Sequence, residues 1–239
     1  KTALDGAVLA RIGASAACVT LGGGALAWGV RRLTGAGGRG FYLPTMFANN
    51  ANMGMSLSTI AFGDTGLAMA AAYYVTTAML HVSVGITLVS RASGRWEMFR
   101  APVLYAAIAG ILAGRFDVAI PGPLLKGIEL LGQPTIPVML FSLGYRLATV
   151  RLGDLERASL AVAVRIGGGL AIGTVVVRAL HLEGAVAQVV TLQSAMPAAV
   201  LNFVIAEKYH ADPELVASAI ALGTFVSLVT TPLVLAWVL

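Results

Sequence analysis

Residues 46–56 read MFANNANMGMS, which sets Asn49, Asn50, Asn52 and Gly54 into a run that is apolar on both sides. A helix crossing a bilayer must satisfy its backbone within itself, because hydrocarbon offers no partners. Three amides and a glycine make poor helix and good turn, so this stretch breaks a helix in the middle of an apolar span. A second break stands at residues 192–202, LQSAMPAAVLN. There Pro197 has no N–H to donate and clashes with the preceding turn. Gln193 and Ser194 precede it, and Asn202 follows.

Everything around the two breaks belongs to a membrane. Of 239 residues, 58% are hydrophobic and 11% charged, whereas soluble domains carry about 25% charged residues. The mean hydropathy is +0.85. Apolar runs of bilayer-spanning length recur along the whole chain, which makes it an all-α polytopic membrane protein. The candidate spans are Gly6–Val30, Tyr42–Phe62, Gly66–Ser90, Pro102–Phe116, Leu124–Leu147, Leu155–Leu180, Val186–Ala206 and Leu215–Leu239. Short connections rich in Gly, Pro and charge join them into one membrane domain, 1–239.

The net charge of +5 reflects topology control and implies no nucleic acid. Arg31, Arg32 and Arg39 follow the first span, Arg91, Arg95 and Arg100 the third, Arg146, Arg151 and Arg157 the fifth, and Lys208 the seventh. The opposite loops hold Arg115, Lys126 and Arg178. The positive-inside rule puts the first set in the cytoplasm and both chain ends outside. The chain starts at Lys1 without a signal-like region, and the expectation is that its natural N-terminus lies further upstream. Cys18 is the single cysteine, so neither an internal disulfide nor a cysteine metal site can form. Motifs for metalloproteases, serine hydrolases and phosphate loops are absent, and His81, His181 and His210 fall on separate segments. The chain reads as neither an enzyme nor a cofactor binder.

An internal echo orders these spans. LARIGASAACVT at 9–20 resembles AVRIGGGLAIGT at 163–174, each is followed by one of the breaks, and each break by an acidic loop and an alanine-rich span, GDTGLAMAAA at 63–72 and DPELVASAIA at 212–221. An odd number of helices per repeat inverts the second copy in the bilayer. Broken helices at matching places in inverted repeats mark a transporter's binding site, because their half-helix N-termini present N–H groups and a positive dipole end to an anion. The amides add neutral donors and acceptors that are cheaper to dehydrate than charges. The alternative is that they are glue between neighbouring spans.

FANNANMGMSL at 47–57 resembles the Asn-x-Gly-x-x-Gly-x-Pro signature of the auxin efflux carrier family. The closing segment, AMPAAVLNFVIAEKYHADPELVASAIALGTFVSLVTTPLVL at 195–235, is its most specific counterpart, and LLGQPTIPVMLFSLGYRL at 130–147 also fits. The similarity covers nearly the whole chain. It implies two inverted five-helix repeats with crossed discontinuous helices, the plan shared with sodium–proton antiporters and bile-acid symporters. The third to tenth helices would match this chain, and the first two would be absent. Residues 1–90 and 153–239 would form the transport bundle, and 102–148 the scaffold. The family's motif places Asn49, Asn52 and Gly54 in one crossover and Pro197 in the other. Ala51 and Ser56 stand where the motif has glycine and proline, so the first break relies on the asparagines and Gly54. To these candidate substrate-binding residues our own reading adds Asn50, Gln193, Ser194 and Asn202.

Arg11 and Arg165 occupy equivalent places in the echo, inside apolar runs. Intramembrane charge is costly and marks function or pairing. Arg165 is a candidate to neutralise an anionic substrate; the alternatives are snorkelling or anchorage on backbone carbonyls. Arg11 fits snorkelling better. His81, mid-way along the third span, either carries a proton or packs neutral between helices. No carboxylate falls at either break, unlike the buried acid a cation–proton antiporter requires. The chain therefore reads as a secondary transporter of small organic (carboxylate) anions in the inner membrane, working by alternating access. Its partners would be the anion and the lipid bilayer, and a homodimer is among the assemblies this plan allows. A sodium-coupled symporter of the bile-acid type and a non-transporting membrane sensor are the alternatives.

Overall fold

The computed structural model describes residues 5–35, 38–90, 118–134 and 155–239, with isolated positions between 105 and 145. The loop arginines Arg91, Arg95 and Arg100, and nearly half of the residues in the expected spans 102–116 and 124–147 and in the expected scaffold, lie outside the described residues. Among the described residues the structure is helical without a strand, and its one β-type contact is an isolated antiparallel bridge between Ala48 and Ala198.

Helix α1, Gly6–Thr34, is capped at both ends. The Asp5 side chain accepts from the Ala7 N–H, and Gly35 closes the helix in the left-handed region at φ 67°, with Arg31 and Arg32 in the last turn where the dipole is negative. After a tight turn at Arg39–Phe41, α2 (Tyr42–Met46) runs only as far as the first break. The chain restarts in a π turn, Asn50–Gly54, and continues as α3, Met55–Leu80. A second π turn, His81–Gly85, leads into α4, Ile86–Val89. Helix α5 spans Gly122–Gly132. Helix α6, Leu155–Val162, passes through a third π turn, Ala163–Gly168, into α7, Gly169–Ala179. Helix α8, Gly184–Ser194, stops at the second break; α9, Leu201–Lys208, resumes beyond it; and α10, Pro213–Val238, closes the described chain.

Among the described residues, four stretches are long and apolar enough to cross a membrane: Gly6–Thr34, Asn50–Val89, Leu155–Ala179 and Pro213–Val238. The second has 40 residues, and a straight helix of that length would measure about 60 Å, twice the hydrocarbon thickness. It is not straight. Gly63 leaves helical geometry at φ 64°, ψ −154°, a conformation only glycine adopts without strain. The chain folds back there so tightly that a Cβ on Gly66 would run into the Ser58 carbonyl. The sequence boundary between Phe62 and Gly66 is thus a real reversal.

The outside is greasy and the inside partly polar, the pattern of a multi-pass membrane protein. Trp28, Leu33, Phe225, Leu228, Val229, Leu233 and Trp237 are exposed, whereas Thr45, Asn50, Ser58, His81, Arg165, Gln193 and Asn202 are buried. One apolar cluster, with Leu43, Met46, Phe47, Ala198 and Phe203, encloses the crossing of the breaks, and a second, with Ile12, Ala16, Met69, Tyr73 and Val189, ties α1 to α3 and α8. The loops after α1 and α9 meet at one end, where the Gly38 N–H donates to Asp212 and Arg39 reaches the Ser90 carbonyl. At the other, Arg11 donates to the carbonyls of Leu180 and His181 beyond α7. Arg11 therefore caps a helix end where snorkelling was expected.

Candidate functional site

The two breaks touch back to back. The Asn49 N–H donates to the Pro197 carbonyl at 2.7 Å, and the Ala199 N–H to the Phe47 carbonyl at 3.0 Å. Each interrupted backbone thus supplies the partners that the other lost, which is how non-helical chain is tolerated at membrane depth. The first break forms without the proline at position 56: Phe47 is extended (φ −106°, ψ 107°) and Asn49 is non-helical (φ −77°, ψ 56°).

Side chains knit the crossing further. Asn50 Nδ2 donates to the Gln193 carbonyl at 2.9 Å and to Gln193 Oε1 at 2.8 Å; Gln193 Nε2 reaches Ser58 Oγ at 3.3 Å; Asn202 Nδ2 donates to the Phe47 carbonyl at 2.9 Å. Gly54 lies directly against the Gln193 amide, where a Cβ would overlap it. Asn50, Gln193 and Asn202 are at most 1% exposed, so their amides are committed to the fold.

The four half-helices leave the crossing with their ends sorted by polarity. Helices α2 and α8 bring their C-termini to one side. There Arg165, 2% exposed, donates from Nη1 to the carbonyls of Thr45 (3.1 Å) and Met46 (2.9 Å) and from Nη2 to that of Ser194 (2.7 Å). A helix C-terminus carries a partial negative charge and unbonded carbonyls, and one guanidinium answers both. Its fork geometry suits the task better than an ammonium would. Gly169 and Gly173 give Arg165 and Ser194 the room to pack. Arg165 thus sits on backbone carbonyls and not in the cavity described next, and Ser194 stays with it, its Oγ donating to the Thr191 carbonyl.

On the opposite side the N-terminal ends after Asn49 and Val200 face a cavity of about 220 Å³. Its walls include Phe47, Asn49, Ala51, Asn52, Ala199, Val200 and Leu201 from the breaks and Tyr74, Thr77, Ala78, His81 and Val82 from the helix beyond. The first turn of a helix leaves N–H groups without intrahelical partners, and both first turns border this space. Among the described residues, no lysine, arginine, aspartate or glutamate lines it. Among the candidates named from sequence, Asn49 and Asn52 line the cavity; Asn50, Gly54, Gln193, Pro197 and Asn202 hold the crossing; Ser194 and Arg165 lie on its far side. Sequence reading missed Phe47, Tyr74 and Thr77. The signal for the last two was present: 74, 77, 78 and 81 recur at helical spacing, one face of one helix.

The family of membrane transport proteins matches residues 87–235, more than half of the chain. That match includes the second break; the asparagine-rich first break lies outside it. Auxin efflux carrier component 7 of Arabidopsis thaliana is 29% identical over 143 residues, covering 56% of this chain and 23% of that protein. Probable auxin efflux carrier component 1c of Oryza sativa subsp. japonica is 28% identical over 143 residues, covering 56% and 24%. The matched stretch is thus about a quarter of the length of these relatives. With a family match over most of its second half and a helical, lipid-facing fold around two broken helices, the chain belongs to the membrane transport protein family of the auxin efflux carriers.

Proposed function

We propose that this chain is the substrate-handling part of a secondary transporter for small organic carboxylates, acting by alternating access in the inner membrane. The observation that carries the reading is the cavity between the two half-helix N-termini, bordered by Asn49 and Asn52 and free of fixed charge. Two positive dipole ends and unbonded N–H groups attract one carboxylate, while the mostly apolar wall (Phe47, Tyr74, Val82, Val200, Leu201) suits an organic body. The arrangement favours a monocarboxylate with an apolar group over a compact dicarboxylate, whose second charge would meet hydrocarbon. The relatives' description as auxin efflux carriers agrees in class. The antiparallel contact of the breaks supports the inverted-repeat reading, with the bundle of residues 1–90 and 153–239 moving against a scaffold from 102–148.

Thermal unfolding of the purified full chain, with aromatic monocarboxylates and with dicarboxylates, with and without sodium, tests this. A ligand bound only by the native state stabilises it, by about 2.7 kcal/mol at a hundredfold excess over Kd. Stabilisation by aromatic monocarboxylates without sodium is the expected outcome. A strict sodium requirement would favour the symporter, and no stabilisation by any carboxylate would overturn the reading.

A further inference from the structure

His81 is the cavity residue for which anion binding by the helix ends has no use. It is 6% exposed, starts the π turn His81–Gly85, and stacks on Phe47 with centroids 4.1 Å apart and planes 7° from parallel. Single π turns inside α-helices concentrate at functional sites. This one holds the ring against the residue whose carbonyl anchors Ala199 and Asn202. Nε2 of His81 and Oδ1 of Asn202 lie side by side, and neither meets any other polar partner among the described residues. Buried polar atoms are nearly always partnered, so a histidine at the wall of a cavity whose one polar neighbour is the Asn202 amide keeps its second ring nitrogen for a ligand.

We propose that His81 takes up a proton when an organic anion enters the cavity, so that the site binds anion and proton together; this rests on the carboxylate reading above. A neutral imidazole has one N–H and one lone pair, and an imidazolium has two N–H donors. The proton comes from water and adds to the nitrogen lone pair; no bond in the anion breaks, and anion plus proton enter with no net charge. One N–H then meets Asn202 Oδ1, and the other serves the carboxylate. In the empty cavity an imidazolium would stand beside two positive helix ends with no acid to offset it. The groups around it bear this out. Tyr74 lies on its own helix, Tyr209 packs against Val82 and Ile86, Glu207 and Lys208 end the helix that carries Asn202, and Arg165 is occupied by carbonyls across the crossing. None of the described cavity-lining residues is acidic, so the incoming anion is the countercharge.

The test is isothermal titration of the full chain in lipid nanodiscs with phenylacetate, which stays ionised across the neutral range, in buffers of differing ionisation enthalpy. The expected result is uptake of about one proton per anion, with Kd falling up to about tenfold per pH unit on acidification. His81→Phe, which keeps a ring to stack on Phe47, binds without proton uptake and without pH dependence; His81→Gln does the same with a polar side chain. Glu207→Gln keeps the wild-type uptake. Binding by the wild type without proton uptake, or uptake that survives in either His81 variant, overturns the coupling and leaves the carboxylate reading standing. Folded protein that binds phenylacetate at no pH overturns both.

Discussion

On one side of the crossing the carbonyls of Thr45, Met46 and Ser194 close on the Arg165 guanidinium; on the other, the helix starts after Asn49 and Val200 open on a cavity whose described lining carries no fixed charge. Both faces are made by the same two breaks. The negative ends are neutralised permanently from within the chain, and the positive ends border the cavity. A full positive charge was available to the fold, and it was spent on structure. Under the carboxylate proposal this division helps a carrier: an arginine in the cavity would hold an anion tightly in every conformation, whereas backbone N–H groups and amides would bind weakly enough to release it.

The comparison breaks first at Arg165. Arg165→Met leaves three buried carbonyls unpaired at about 1–3 kcal/mol each, the largest effect expected here. It should appear as a collapse of thermal stability with no selective loss of anion affinity in the folded fraction; near-normal stability with lost affinity would move Arg165 to the substrate. Gly54→Ala forces a methyl into the Gln193 amide and should cost about 1–3 kcal/mol, read from the same melting curves. Asn50→Ala removes both bonds to Gln193 and should destabilise by a similar 1–3 kcal/mol or so. Asn52→Ala sharpens the contrast with Asn50 two residues away. It should leave the melting temperature within about 0.5 kcal/mol of wild type and weaken carboxylate binding roughly tenfold, about 1.4 kcal/mol, measured by titration calorimetry. Arg11→Gln, which loses an exposed cap on Leu180 and His181, should cost about 0.3–1 kcal/mol, a small fraction of the effect at its echo Arg165.

The breaks were legible because proline, glycine and clustered amides act locally: they disrupt a helix wherever they stand. The reversal near Gly63 was legible for the same reason. The division of labour among the amides was not. Asn49, Asn50 and Asn52 are chemically identical, and what separates Asn50 from the other two is the presence of Gln193, 143 residues further on. His81 was weighed between proton carriage and packing, and the structure shows a buried ring stacked on Phe47 in a cavity wall. The arginine echo was visible as well, yet it joins two different jobs: one guanidinium caps a single exposed helix end, and the other bridges two buried ones.

Solvent class, the places where helices fail and the likeness between the two halves were determined by sequence alone, since each follows from residue type and near-neighbour spacing. Which broken end faces which, and therefore which helix starts border a cavity and which carbonyls are already taken, was decided only by the tertiary structure. A helix dipole has a direction along the chain, but whether two like ends meet at a guanidinium or at an empty cavity depends on how segments roughly 150 residues apart cross in space.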